Sequence, residues 1–322
     1  MLQDRIPSKV KRLLDVDVII PTFNSGKVLD LCLSSIRKQQ YNGKIGITII
    51  DGGSTDGTLQ IAQNYNARTI VMKGMYGTGL NGARHYGETI TSSPLVWNVD
   101  SDNFIVEDDA LLHLVQPFLD DANIHISIPE TAIDSSASSL NNWIALQEIE
   151  KVNKMKAKSR LVNGYLVIDD MFYGLTNCAL LKRSSLEMAG GYDSDVRLLW
   201  RLRKLGLSKG AIVGKSHFYH NQIDSAGDLY RKLVRRFRKF ANMTTEELKM
   251  YFYDYPPPVE LDSALKTGPL IDMMSGPILS MKKYIETNNK TWAYGGAIYP
   301  LIIVLTLSIH PVATYKTFIR FL

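Results

Sequence analysis

Cysteine is nearly absent. Cys32 and Cys178 are the two in 322 residues, too few for a disulfide framework or a thiolate metal cluster, and both read as small buried apolar side chains. Glycine, at 23 residues, is far too sparse for a collagen-like chain. Neither sign of charge dominates: 37 basic residues stand against 32 acidic ones for a net charge of +5, so what the basic residues do depends on where they lie. With 45% hydrophobic and 21% charged residues, extensive disorder is excluded as well. Length divided by roughly 150 residues per domain leaves one large domain, or one domain with an appendage, and either can bury a core.

Long apolar runs are almost as scarce. The first sixteen residues, MLQDRIPSKVKRLLDV, lack the apolar stretch of roughly 7–15 residues that a signal peptide needs, so we expect the folded part in the cytosol. The exception is AYGGAIYPLIIVLTLSI, Ala293 to Ile309, which carries no charge and follows Lys290 and Trp292. At 17 residues it sits at the lower limit for crossing ~30 Å of hydrocarbon, and Pro300 interrupts it. A tilted span, a re-entrant hairpin, an interfacial helix and a buried core helix all fit. Trp, Tyr and Lys at its edges favour a membrane interface.

What the chain does have is alternation. From Val16 to about Ile128, short runs rich in Val and Ile alternate with segments of helical period, the pattern of β-α-β units on a mainly parallel sheet. Strands are expected at Asp17–Ile20, Ile45–Ile50, Thr69–Met72 and Leu95–Val99. After Pro21 and Ser25-Gly26, the residues Val28, Leu31, Cys32, Ser35 and Ile36 recur at helical spacing, and a further helix is expected over Gly79–Thr91. The loop Asp51-Gly-Gly-Ser-Thr-Asp-Gly-Thr58 leads into another, with Asp56 as its expected N-cap. Polar clusters thus fall at the C-terminal ends of strands, the edge where open α/β sheets bind ligands.

Residues 129–170 are looser, with a Ser-rich stretch from Asp134 to Ser139 and a helix around Trp143–Val152. They read either as an insertion shaping an acceptor site or as a surface excursion. Tyr173–Lys182, the turn Gly190-Gly191-Tyr192-Asp193 and a helix over Val196–Leu205 follow. YRKLVRRFRKF, Tyr230 to Phe240, sets six basic residues among Tyr230, Leu233, Val234, Phe237 and Phe240 at helical spacing. Such a helix suits an anionic membrane surface, a solvated basic face or a diphosphate-binding patch. No nucleic-acid module accompanies it, so nucleic acid is not an expected partner. Pro256-Pro257-Pro258 is a rigid break. The expected divisions are residues 1–225, a basic amphipathic helical segment 226–290 and a hydrophobic membrane-associated C-terminus 291–322.

The sharpest chemical signal is Asp100-Ser101-Asp102 at the end of an apolar strand. Two carboxylates on one turn can hold Mg2+ or Mn2+ and leave positions open for diphosphate oxygens, although Asp-x-Asp also recurs in loops by chance. Its company decides. Val18-Ile19-Ile20-Pro21-Thr22-Phe23-Asn24, Leu33-Ser34-Ser35-Ile36 with Gln39, the Asp51–Thr58 loop, Ala83-Arg84 with Gly87, and the triplet itself stand in one order over about the first 105 residues. In that order they resemble a family 2 glycosyltransferase of the GT-A fold. The resemblance continues through Gly190-Gly191-Tyr192-Asp193, Asp195 and Arg201-Leu202-Arg203-Lys204-Leu205-Gly206.

The resemblance implies an α/β GT-A architecture, a Rossmann-like mainly parallel sheet flanked by helices, here with a helical membrane-associated C-terminal appendage. It implies that Pro21, Thr22 and Asn24 line a nucleotide pocket, that Asp51 hydrogen-bonds the base, and that Arg84 approaches the diphosphate or sugar. Asp100 would face the ribose or sugar. Asp102 would be the more direct ligand of Mn2+ or Mg2+, with Asp100 and His217 as further candidates. The plain readings of the same residues are a strand-end cap for Asp51, a helix-surface arginine for Arg84 and a satisfied surface histidine for His217. The family's general base is the Asp of a Glu-Asp pair before an Arg-Leu-Arg-Lys-x-Gly segment. That register gives Ser194-Asp195 here, with the Glu replaced and the usual spacer missing. Asp195 is the expected base, with Asp193 in reserve.

The implied reaction is an inverting transfer from a UDP- or GDP-sugar to a hydroxyl of a lipid-linked or membrane-adjacent glycan. The enzyme would be membrane-associated, with its catalytic domain in the cytoplasm. A polyprenyl-phosphate sugar synthase is the neighbouring alternative. Such enzymes follow the triplet with Leu-Gln and a nearby Pro, where this chain has Asn103-Phe104-Ile105. An alternative of another class is a catalytically decayed nucleotide-binding membrane module, with Ser194 as its main support.

Overall fold

A computed structural model describes residues 13–73, 79–171 and 178–221, together with 225, 227–231, 285–287, 290 and 291. Residues 232–240 of the basic segment, Pro256-Pro257-Pro258 and the apolar run 293–309 lie outside the described residues, as does Tyr173. Among the described residues no helix is long and apolar enough to cross a membrane.

The elements run β1 (Val16–Thr22), α1 (Leu29–Arg37), β2 (Ile45–Asp51), α2 (Thr58–Asn64), β3 (Arg68–Val71), α3 (Gly79–Thr89), β4 (Leu95–Asn98), β5 (Asn103–Ile105) and α4 (Ala110–Asp120). Then follow β6 (Ile126–Thr131), α5 (Ser139–Lys156), β7 (Arg160–Val162), β8 (Tyr165–Ile168), β9 (Leu180–Lys182), α6 (Arg183–Met188), α7 (Asp195–Lys204) and β10 (Gly210–His220). The chain divides into two compact units, residues 1–130 with 155–218, and 131–154 with 219–322.

The first unit is built on one sheet, in the order β3-β2-β1-β4-β9-β6-β10-β8-β7, with β5 paired to β10. β1 lies parallel to β2 and β4, and β2 parallel to β3, as the strand-helix alternation demands. From β4 onward the pairing changes: β9 is antiparallel to β4 and β6, and β8 to β7 and β10. The sheet is therefore mixed rather than mainly parallel. Its later strands are three or four residues long at β7, β8 and β9, and short connections such as the Asn163-Gly164 turn permit only antiparallel return. Asn163 and Gly164 both have positive φ, 48° and 88°, the geometry of a two-residue hairpin turn.

Val16, Val18, Ile19 and Ile20 of β1 are fully buried, as expected of a strand covered on both faces. On α1 the inward stripe is Leu29, Cys32, Leu33 and Ile36; Leu31, expected inside, is 58% exposed because it lies off that stripe. Asp56 falls one residue before the α2 cap at Gly57, yet still accepts the Thr58 N–H at 3.0 Å. In the second unit Glu148 of α5 lies 3.3 Å from Thr131 Oγ1, which donates to it, and 3.2 Å from His220 Nδ1. The helical turn 227–231 is opened by Ser225, whose Oγ donates to Asp228 and accepts its N–H.

Gly87 sets how closely α3 lies on the sheet, since a Cβ there would come within 2.5 Å of Ile19 Cγ2 in the middle of β1. Gly87→Ala gains ~1 kcal/mol of helix propensity but overpacks the contact at a cost of about 1–3 kcal/mol. We expect a net fall in the denaturation midpoint. A midpoint that rises would show that α3 can move off β1 at no cost.

Candidate active site

The C-terminal ends of β1 and β2 are joined through one carboxylate. Asp51, fully buried, accepts Thr22 Oγ1 at 2.8 Å and Ser54 Oγ at 2.5 Å on one oxygen. Its other oxygen accepts the Gly53 N–H at 2.9 Å and the Ser54 N–H at 2.7 Å. Four donors fill the acceptor capacity of an ionised carboxylate. The two loops beyond are clasped by further bonds. Asn24, held at φ 50°, donates its N–H to Ser54 Oγ at 2.8 Å and accepts the Thr55 N–H at 2.9 Å. Ser25 N–H reaches Thr58 Oγ1 at 2.8 Å, and Gly26 N–H reaches Asp56 at 2.9 Å. Pro21, beside Ile50 in the sheet, is buried, while Phe23 stands exposed.

The acidic triplet follows β4 and is locked in its turn. Asn103 Oδ1 accepts the Asp100 N–H at 2.9 Å and its own N–H returns to the Asp100 carbonyl at 2.9 Å. Ser101 Oγ lies 2.9 Å from Ser25 Oγ, and Cys32 Sγ donates to the Asp100 carbonyl at 3.6 Å. Burial, then the charges of Asp102 and Asp100, push the Cys32 thiol far up, which keeps it a neutral donor.

Arg84 is the cation of this cluster. Only 5% exposed, it is bonded to Asp100 and reaches Asn81 Oδ1 and Tyr192 Oη, each at 3.4 Å. Its guanidinium carbon sits 5.1 Å from the centre of the Tyr192 ring. Burial works against its charge, but the carboxylates of Asp100, Asp195 and Asp102, with the hydrogen bond to Asp100, outweigh burial and raise its pKa. One carboxylate is thus bonded to the guanidinium, and two more, one of them from a distant stretch of chain, act on it by their charge. Asp195 is delivered by α7, of which it is the first residue; Ser194 caps that helix by accepting the Arg197 N–H at 3.2 Å. Asp100 and Asp102 offer hard carboxylate oxygens within 4.8 Å of one another, which fits a divalent ion such as Mn2+ or Mg2+.

Of the residues expected to form the site, Arg84, Asp100, Asp102 and Asp195 come together, and Thr22, Asn24 and Asp51 form the loop clasp. Asp193 is engaged elsewhere, paired with Arg201 at 2.7 Å and accepting the Ser194 N–H at 2.7 Å. His217 is bound to Glu107 twice, through its ring at 2.6 Å and its backbone N–H at 2.7 Å. Tyr192, Asn103 and Glu88 were not singled out as site residues by the sequence. Tyr192 and Glu88 contribute through hydrogen bonds between segments about a hundred residues apart, and Asn103 through the local turn it closes on Asp100. Glu88 is buried on α3 and accepts the Tyr192 N–H at 3.0 Å. Burial pushes its carboxyl up to about 8, against the opposing pull of Arg183, the Asn98 side chain, Arg84 and Arg201.

Glycosyl transferase family 2 matches residues 17–188, more than half of the chain, and the chain belongs to that family. Its α/β core is a GT-A-like mixed sheet flanked by helices. Over 98 residues the chain is 37% identical to an N-acetylglucosaminyltransferase of Rhizobium sp. (strain N33), covering 29% of this chain and 22% of that protein. Over 156 residues it is 26% identical to the chondroitin synthase of Pasteurella multocida (strain Pm70), covering 40% of this chain and 16% of that one. The chain thus spans less than a quarter of the length of these two relatives. The mannosyltransferase PcManGT from Pyrobaculum calidifontis, solved with GDP-Man and Mn2+, superposes with a TM-score of 0.51 at 16% identity, covering 93% of this chain and 89% of that chain. At that identity the likeness is one of fold.

Two outcomes follow. Asp51→Ala orphans four donors and should lower stability by at least ~2 kcal/mol, read from denaturant unfolding; an unmoved midpoint would show that the loops hold without the carboxylate. Glu88 in the native state keeps a proton from its ordinary value of 4.5 up to about 8, a window in which the unfolded chain has lost it. Fewer protons on the unfolded state mean that stability declines as pH rises across that window. Glu88→Gln should flatten that decline in the melting temperature, and an unchanged slope would mean that Glu88 does not cause it.

Proposed function

We propose that the chain is an inverting glycosyltransferase that moves a sugar from a UDP- or GDP-sugar to a hydroxyl acceptor, with Asp195 as general base. The observation that carries this reading is the convergence of Asp100, Asp102 and Asp195 on Arg84. The acceptor oxygen attacks the anomeric carbon while its proton passes to the Asp195 carboxylate, and the bond from that carbon to the nucleoside diphosphate breaks. One base suffices because inversion needs no covalent sugar-enzyme step. Asp102, with Asp100, would hold Mn2+ or Mg2+, which supplies positive charge for the departing diphosphate. Arg84, buried against Asp100, acts on the donor through that carboxylate. Pro21, Thr22, Asn24 and Asp51 wall the nucleotide pocket, Asp51 by fixing the loops on either side of it.

The names of the relatives support a nucleotide-sugar donor, and GDP-Man with Mn2+ on the mannosyltransferase supports both donor class and cation. For the acceptor we propose a lipid-linked or membrane-adjacent glycan, met by a membrane-associated protein whose catalytic domain is cytoplasmic. The basic stretch 230–240 and the uncharged run 293–309 in the sequence support that part. Ser194, the departure that favoured a decayed module, has a use of its own as the cap of α7.

Asp195→Asn should abolish transfer while leaving melting-temperature shifts by UDP-N-acetylglucosamine or GDP-mannose with Mn2+ within error of the parent. Substantial residual turnover would remove Asp195 from the role. Transfer to free polyprenyl phosphate in preference to a lipid-linked sugar would replace the acceptor class proposed.

A further inference from the structure

Glu88 is buried next to the site and takes no part in the scheme above. It stands one helical turn after Arg84, so both side chains leave the same face of α3. Both meet Tyr192. Arg84 holds its phenol end, through Oη at 3.4 Å and the ring face, while Glu88 holds its backbone end through the N–H at 3.0 Å. The segment gripped in this way is the turn that leads into α7 and Asp195. Gly190 and Gly191 turn the chain at φ 80° and 78°, and Gly191 passes so close to α3 that a Cβ would lie 2.3 Å from the His85 ring.

We propose that Glu88 is a positioning residue for the transfer reaction: by accepting the Tyr192 N–H it anchors residues 191–195 to α3 and holds Asp195 in register with Arg84 and Asp100. The proposal rests on the function above only in naming Asp195 as the base.

The chemistry of the anchor follows from its surroundings. The charged groups facing it are Arg183, Arg84 and Arg201, the titratable His85 ring lies 3.8 Å away, and burial prevails over the arginines to push the carboxyl up to about 8. One oxygen, Oε2, accepts from Tyr192. Glu88 Oε1 and both polar atoms of the Asn98 carboxamide are buried, and Asn98 is the side chain that acts on the carboxyl as a hydrogen-bond partner. A protonated carboxyl can donate there while still accepting from Tyr192. A glutamine offers the same pair, an acceptor and a donor on a side chain of the same shape. Alanine offers neither.

The test compares the full chain with Glu88→Ala and Glu88→Gln, using UDP-N-acetylglucosamine and, in parallel, GDP-mannose with Mn2+. Displacing a base by a fraction of its reach lowers kcat without touching donor affinity, so E88A should lose about tenfold or more in kcat with donor KM within about threefold. E88Q should recover kcat to within about threefold of the parent. Amide hydrogen exchange at residues 191–195 should quicken in E88A and return to the parent rate in E88Q. A folded E88A with kcat within about twofold of the parent, or an E88Q as deficient as E88A, overturns the proposal. Should E88A fail to fold, Glu88→Leu, which keeps the volume and removes the acceptor, takes its place under the same criteria. If the parent itself shows no transfer, the functional reading falls. The exchange comparison then decides alone whether Glu88 anchors the segment, and unchanged exchange refutes it.

Discussion

A guanidinium buried to 95% of its surface is tolerable only where fixed negative charge surrounds it, and Arg84 meets that condition with Asp100 bonded to it and Asp102 and Asp195 close by. The dependence runs both ways. Without the cation, carboxylates from the β4 turn and from the start of α7 would repel one another across a half-buried space. With it, two segments almost a hundred residues apart in the sequence are drawn to one point. Tyr192 completes the arrangement by lying against the guanidinium, with its ring face toward the cation and its Oη accepting one N–H at 3.4 Å. β9 runs antiparallel to β4, from Leu180 beside Trp97 to Lys182 beside Leu95, so α6 begins at the end of β4 away from the triplet and the turn at 189–194 brings the chain back to Arg84 through Tyr192.

The other half of the site is built on different physics. Between β1 and β2 a single carboxylate is satisfied by neutral donors. Asp51 makes the loops after the two strands into one body, and Asn24, Ser25, Asp56 and Thr58 extend it outward. With four donors on its two oxygens, Asp51 fixes the shape of the loops that follow the two strands.

The difference between the halves explains what was legible in the sequence. Strands β1 to β4 and the helices between them could be read from periodicity, because a parallel sheet covered on both faces needs continuous apolar runs and a crossover helix for each. The order of short motifs around Pro21, Asp51, Arg84 and Asp100 pointed to the family. The antiparallel half was not legible: β5, β7, β8 and β9 are three or four residues long, no shorter than β3 and β4 at four, but they lack the regular strand-helix alternation that marks those two. Leu31 was assigned to the wrong side of α1 for a related reason, since Leu29, Leu31 and Leu33 are equally apolar and only packing against the sheet decides which face turns inward. The roles of Glu88 and Asn103 are invisible in one dimension. Each depends on a partner's backbone N–H, a group every residue but proline possesses.

Ser194 shows how a departure from a family pattern can be read physically. A helix that must present its first residue to the site needs that end held still, and the four N–H groups of the first turn need acceptors. A serine at the cap meets one of them directly: its Oγ takes the Arg197 N–H, and its extended backbone, φ −169° and ψ 157°, turns the chain into the helix. A glutamate is a poorer cap at that position, because its longer side chain reaches the first-turn amides less readily. Replacing Glu by Ser therefore gives up a carboxylate but gains a fixed start for α7, and the negative charge at the site is still supplied by Asp195, Asp100 and Asp102 together. The neighbouring Asp193 is drawn off by Arg201, which also donates to the carbonyls of Ala189 and Gly191 at 2.6 Å. The pull of Arg201 on one acid and the cap provided by Ser194 leave Asp195 as the carboxylate of this turn that faces Arg84.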